Sequence, residues 1–260
     1  MGRIREVVIG RDGTAQVVLA LVAVESYELL RRLLHPDWPL AIRHAHDIFA
    51  LERFAHLDIE AATQALVIHM SPLVVALDLF YLAAHWVVTA AFLVWLFRRS
   101  RASFAFYRDA LLGATALALA VHAAFPAAPP RLAGLGIDDT VRSFFGLDIG
   151  SPQSAPFSNP VAALPSLHAG WALAVGVGVA SHARRRAVRW LGLLYPAVVV
   201  FATIATGNHF VIDAVAGMAV VVVGFGAAAF SRRGSRPATG SLIPSLSRRG
   251  VEQPGSSPGS

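Results

Sequence analysis

Three short polar stretches abut long apolar runs in this chain: Pro129-Pro130-Arg131, Pro165-Ser166-Leu167-His168, and Gly207-Asn208-His209 followed by Asp213. Together they supply a permanent cation, two imidazoles and a carboxylate. That set suffices for phosphoryl transfer through a histidine at a membrane surface. His209 and Asp213 are four apart, so the spacing predicts a shared helix face on which the carboxylate sits under the ring. Asp213 then holds one ring nitrogen and leaves the other free to attack, which makes His209 the candidate nucleophile. His168 is expected in the first turn of a helix, with Pro165 at the opening position and Ser166 offering its hydroxyl and backbone N–H to an anion. Protonated, His168 can donate to a departing oxygen. Arg131, stiffened by two prolines, can grip two phosphate oxygens and offset charge in the transition state. Ser166 and Asn208 complete the expected phosphate-contacting set.

Each of these residues also has a plainer reading. A histidine near a span end commonly packs at the interface, an arginine there anchors to head groups, and a Pro-Pro pair stops a helix. Gly217, two turns beyond His209, is read as a helix-packing glycine. His85 with Tyr81, His122, and Glu25 with Glu28 lie within apolar runs and are read as pocket lining without an assigned role. Glu52, Arg53 and Glu60 are read as the wet side of interfacial helices. No metal site is expected: His168, His209 and Asp213 could ligate, but no multi-carboxylate or HExxH-type cluster accompanies them. No cofactor is expected either.

Composition fixes the solvent in which these groups must work. Hydrophobic residues make up 55% of the 260 and charged residues only 15%, so the chain is read as an integral membrane protein. It has no cysteine, which removes disulfides and thiolate chemistry, and all 22 basic residues are arginine. The net charge of +6 lies in clusters flanking apolar runs, a distribution that orients spans and not one that binds nucleic acid.

Six runs, at about 14–34, 74–97, 106–126, 164–182, 187–206 and 208–230, approach the ~20 residues a crossing helix needs. Residues 38–70 mix apolar and charged positions and predict helices lying in the interface. The expected architecture is all-α: a polytopic membrane bundle of about six transmembrane helices plus interfacial helices. Residues 127–163, rich in Pro, Gly and Ser, read as a long structured loop. The domain reading is a cytoplasmic N-terminus at 1–13, a membrane catalytic domain at 14–230 and a disordered basic tail at 231–260. Arginines collect at 98–108, at 182–189 and in the tail, which places those segments and both termini in the cytoplasm, with only Arg31 and Arg32 against that assignment. Arg131, His168 and His209 then fall together on the extracytoplasmic face, and the plasma membrane is the expected location.

The stretches FPAAPPRL at 125–132, LPSLHAGWA at 164–172 and TGNHFVIDAVAG at 206–217 together resemble the type 2 phosphatidic acid phosphatase superfamily, in particular its inositol phosphorylceramide synthase-like branch. The resemblance covers roughly residues 40–230. It implies six helices and a metal-independent reaction in which His209 is phosphorylated, His168 protonates the leaving group and Asp213 orients His209. The chain departs from the common phosphatase pattern in having no lysine, Leu167 in place of a glycine, and Ala202-Thr203 in place of Ser-Arg. Two cations are thereby missing from the phosphate pocket, so either Arg131 works with a compensating arginine such as Arg53, Arg108 or Arg142, of which Arg108 falls on the opposite face of the predicted topology, or the substrate is bound differently. The expected substrate is a membrane lipid phosphate, either a phospholipid or a polyprenyl phosphate. Water as acceptor makes a phosphatase and an alcohol makes a head-group transferase. A transporter or non-catalytic lipid-binding protein is the competing class, but no inverted repeat or pair of broken helices accompanies it.

Overall fold

The computed structural model describes residues 37–147 and 161–234, with scattered helical positions between 12 and 29. Glu25, Glu28, most of the first expected span, residues 148–160 of the long loop, and the tail from 235 onward lie outside the described residues.

Two short helices come first, α1 (Trp38–Phe54) and α2 (Glu60–Val67). Asp37 opens α1 by accepting the Leu40 N–H, with Pro39 in the first turn. The long helix α3 (Ser71–Arg99) also carries a proline in its first turn and ends at Ser100. Ser100 then caps α4 (Arg101–Ala124) by accepting the Ser103 N–H, so a single residue makes the hairpin between them. The expected loop contains a 3-10 turn (Pro130–Leu132) and the six-residue helix α5 (Thr140–Phe145), capped by Asp139 and closed by Gly146 at φ 63°. Three helices complete the fold: α6 (Leu167–His182), α7 (Arg186–Ala205) and α8 (Val211–Gly234).

The architecture is the expected all-α bundle, and no strand occurs among the described residues beyond an isolated bridge between Ala127 and Ala162. Four described helices, α3, α4, α7 and α8, are long and apolar enough to cross a membrane. The expected span at 164–182 is realised as the 16-residue α6, whose rise of about 24 Å falls short of a full hydrocarbon crossing of about 30 Å.

Close backbone approach holds the bundle together. α6 lies against α8 at Gly170 and Gly217, where a Cβ on Gly217 would overlap the Ser166 carbonyl and one on Gly170 would meet the Gly217 carbonyl. Gly217 is thus the packing residue that its place in the stripe suggested. α6 meets α7 in the same manner at Gly176, Gly192 and Pro196, and α8 meets α4 at Gly224 against the Ala110 carbonyl. In a bilayer, where apolar contact alone does not favour one helix over lipid, such small-residue contacts bring helices together.

Residues 38–70 form two short helices, each with one buried and one exposed face, but Glu52 and Glu60 do not lie on the wet side that the sequence predicts. The buried stripe of α1 is Ala41, Ala45, Ile48 and Glu52, and that of α2 is Glu60, Gln64 and Val67. Glu52 and Glu60 therefore face the core and are 0% exposed, whereas Arg53 is exposed. The segment after α4 docks on α1: His44 bonds the Pro126 carbonyl at 2.7 Å and stacks on Phe125, while the Ala128 N–H donates to the Ala41 carbonyl.

Candidate active site

The turn that joins α7 to α8 organises the site. Gly207 adopts φ 68°, a left-handed conformation in which a side chain would also collide with Ile137 and Arg131. The reversal lets the N–H groups of Asn208 and His209 both donate to the Thr203 carbonyl, at 2.9 and 3.2 Å. His209 precedes α8 instead of opening it, because the helix begins at Val211. Even so, the four-residue spacing brings Asp213 to the ring, with Nδ1 to Oδ2 at 3.4 Å, long for a hydrogen bond. The same Oδ2 accepts the Phe210 N–H at 2.9 Å. Asp213 is wholly buried, and the ring's other nitrogen, Nε2, is buried without a hydrogen-bond partner. An imidazole held at Nδ1 by a carboxylate with Nε2 unengaged has the geometry of an activated nitrogen nucleophile.

His168 occupies the first turn of α6, and its ring centroid lies 5.6 Å from that of His209. Both rings can therefore reach one phosphoryl group. Tyr81 of α3 stacks on His168 at 4.4 Å and meets His209 edge-on at 6.4 Å, while His85 packs edge-on against His168 at 4.1 Å. Tyr81 and His85 thus line the site, as their position within an apolar run suggested. His122, at the far end of α4, bonds the Pro165 carbonyl at 3.2 Å and supports the turn leading into α6.

Two expectations about that turn are corrected. The N-cap of α6 is Ser166, which leaves Pro165 ahead of the helix and not at its opening position. The Ser166 backbone N–H donates to the Asp213 carbonyl at 2.9 Å, and its buried hydroxyl oxygen accepts from Ala169 at 3.4 Å. Ser166 therefore joins α6 to the first turn of α8 instead of presenting its N–H to an anion.

Arg131 sits on the 3-10 turn, where its backbone N–H bonds the Gly207 carbonyl at 3.0 Å, so it belongs to the same end of the bundle as the two histidines. Its guanidinium Nε donates to Asn208 Oδ1 at 3.0 Å and its Nη1 to Asp139 Oδ2 at 2.6 Å. Asn208 in turn donates to Thr206 Oγ1 at 2.8 Å. Asn208 is thus an orienting partner of Arg131, and a two-pronged grip on phosphate through Nε would compete with it. Among the proposed replacement cations, Arg108 lies near the start of α4, bonded to Asp109 and Gln16, some 14 residues or about 21 Å of helix from His122. It is remote from the site. Arg53 and Arg142 are exposed on segments at the site's own end.

The structure adds residues that the sequence reading did not assign to the site. Asp78 of α3 is fully buried and accepts the Thr140 hydroxyl at 2.7 Å, tying α5 to the bundle. Asp139 caps α5 and pairs with Arg131. Gln64 clamps Asp138 with both ends of its amide, at 2.8 and 3.0 Å. Glu52 and Glu60 accept the Ile212 and Val211 N–H groups. Among the described residues, no group of three or more His, Cys, Asp or Glu is arranged to hold a metal ion.

A helical bundle built to enter a membrane, with two imidazoles, a buried carboxylate and a guanidinium gathered at one end, defines a membrane-embedded phosphoryl-transfer protein. The model of the PAP2 superfamily matches residues 46–227, more than half the chain, and the chain belongs to that superfamily. It is a phosphatase or phosphotransferase of the type 2 phosphatidic acid phosphatase kind. No curated protein and no solved structure matches it.

Proposed function

We propose that this protein removes or transfers the phosphoryl group of a membrane lipid phosphate through a phosphohistidine at His209. The observation that carries the reading is the 5.6 Å separation of two imidazoles, one of which has Nδ1 against a buried carboxylate and Nε2 unengaged. His209 Nε2 attacks phosphorus, His168 protonates the departing lipid oxygen, and Arg131 offsets the charge that gathers on the non-bridging oxygens. Asp213 stabilises the imidazolium formed by attack. The second half reverses the roles: His168 takes a proton from the acceptor, which attacks the phosphohistidine and releases His209. Water as acceptor yields inorganic phosphate, and an alcohol yields a new ester. The departures at Leu167 and at Ala202-Thr203 favour the inositol phosphorylceramide synthase-like branch, in which the acceptor is an alcohol. The reaction centre faces the extracytoplasmic side of the plasma membrane, with both termini in the cytoplasm.

The test uses purified full-length protein with a panel of lipid phosphates, including phosphatidic acid and a polyprenyl phosphate, with and without inositol. Free phosphate, new lipid products and acid-labile radiolabel on the protein are followed together. The reading expects label on wild type and none on His209→Ala. Wild-type turnover by His209→Ala would overturn it.

A further inference from the structure

The amino end of α8 is closed by carboxyl groups. A helix leaves its first N–H groups without intrahelical partners. Here the N–H groups of Phe210, Val211 and Ile212 are accepted in turn by Asp213 Oδ2 at 2.9 Å, Glu60 Oε1 at 3.0 Å and Glu52 Oε1 at 2.8 Å. Glu60 and Glu52 come from 151 and 160 residues away, on α2 and α1, and both are 0% exposed. They are held on adjacent N–H groups of one turn, and each retains a buried Oε2 with no hydrogen-bond partner. Two buried carboxyls brought to neighbouring peptide N–H groups, each with an orphan oxygen, can satisfy one another only when one of them carries a proton. Burial pushes Glu52 up to about 8, opposed by the Ile212 N–H and reinforced by the charges of Glu60 on α2 and Asp213 on α8. Burial raises Glu60 as well. Asp213 faces this pair on one side and the His209 ring on the other.

We propose that Glu52 and Glu60 are positioning residues of the reaction centre, a carboxyl pair sharing one proton that clamps the first turn of α8, and with it His209 and Asp213, to α1 and α2. This rests on the reading of His209 as the attacking group. The clamp does two things. It fixes the peptide units of Val211 and Ile212, and because Phe210 N–H and His209 Nδ1 share Asp213 Oδ2, rotation of that turn would break both contacts at once. It also withholds the helix-end N–H groups from an incoming phosphate, which would otherwise be an attractive resting place for the anion away from His209. Sharing a proton keeps the pair at one negative charge, so that Asp213 is not pressed by two. Loss of that proton sets three carboxylates together and loosens the turn.

The test is made on the full-length protein in lipid nanodiscs with phosphatidic acid as substrate, comparing wild type, Glu52→Gln, Glu52→Ala and His209→Ala. Infrared spectra should show a protonated-carboxyl band in wild type at neutral pH that titrates away near pH 8 and is missing in Glu52→Gln. The glutamine can donate to Glu60 and accept from Ile212, so it should hold kcat within about threefold and abolish the fall in activity as pH rises through 8. Glu52→Ala should lower kcat at least about tenfold at nearly unchanged KM. Absence of the band at neutral pH, or wild-type kcat in Glu52→Ala, overturns the clamp. Should Glu52→Ala not fold, the Glu52→Gln pH profile decides: a flattened alkaline limb supports the clamp and a wild-type profile overturns it. Full activity in His209→Ala overturns the reaction reading and the positioning role with it, whereas an inactive His209→Ala beside a missing band overturns the clamp alone.

Discussion

On the proposed mechanism the His209 ring carries the phosphoryl group, so His209→Ala is expected to be inactive to the limit of detection. His168→Ala, which removes only the proton donor, should lose roughly 10²–10⁴ in kcat and regain part of it with substrates whose leaving group needs no proton. Asp139→Asn is the more informative change, because it keeps the α5 cap while weakening the ion pair that orients Arg131. It should lower kcat/KM for lipid phosphate in a steady-state assay, less severely than Arg131→Ala. At this scale the sequence was most legible where chemistry demands fixed spacing: the His209–Asp213 interval and the proximity of His168 and Arg131 were readable. The burial of Glu52 and Glu60 was not, since a carboxylate beside Arg53 looks solvated. The signal existed nonetheless, because Ala41, Ala45, Ile48 and Glu52 fall at intervals of four, three and four, so Glu52 lies on the apolar stripe of α1. Asp78, an acid inside a span, carried an equally plain signal.

At the scale of elements, the site depends on how closely α6 and α8 approach. Ser166 and Asp213 are joined main chain to main chain, and Gly217 leaves the room that this needs. Gly217→Ala should destabilise the protein by about 1–3 kcal/mol, seen as a lower midpoint of thermal unfolding in detergent, and should depress kcat by separating the two histidines. Gly226, which has open space where a Cβ would stand, is the control, and Gly226→Ala should leave both unchanged. The glutamate pair adds a pH dependence. The folded state holds a proton that the unfolded chain releases near the ordinary value of 4.5, so raising the pH from about 4.5 to about 8 should lower the unfolding midpoint, and Glu52→Gln should flatten that slope. Helix existence was readable from apolar runs, but α5 and the 3-10 turn were not. Their six and three residues carry no period, and their caps make sense only once Asp139 is seen to serve Arg131 as well.

For the whole molecule, the structure gathers the reactive groups at one end, while Ser100, Arg108, His182 and Arg232 mark the other through the contacts of His182 with Ser103 and of Arg232 with Ala102. Which end faces the cytoplasm is open to a direct measurement because the chain has no cysteine. Leu147→Cys, exposed at the reactive end, should react with an impermeant maleimide on intact cells, and Arg184→Cys, exposed at the other, only after permeabilisation. The reverse pattern would invert the orientation. The expected span at 164–182 differs most from its realisation. α6 carries His168 yet is only 16 residues long, because its hydrophobic run is spent partly on the turn that delivers the histidine.

The pairing of Arg131 with Asp139 means that the resting site brings its own counter-ion. A neutralised guanidinium does not attract every anion that drifts past. An arriving ester has to displace or share a carboxylate already held at 2.6 Å. Binding is therefore expected to be an exchange of one anion for another, in which the phosphate must outcompete Asp139 for Arg131.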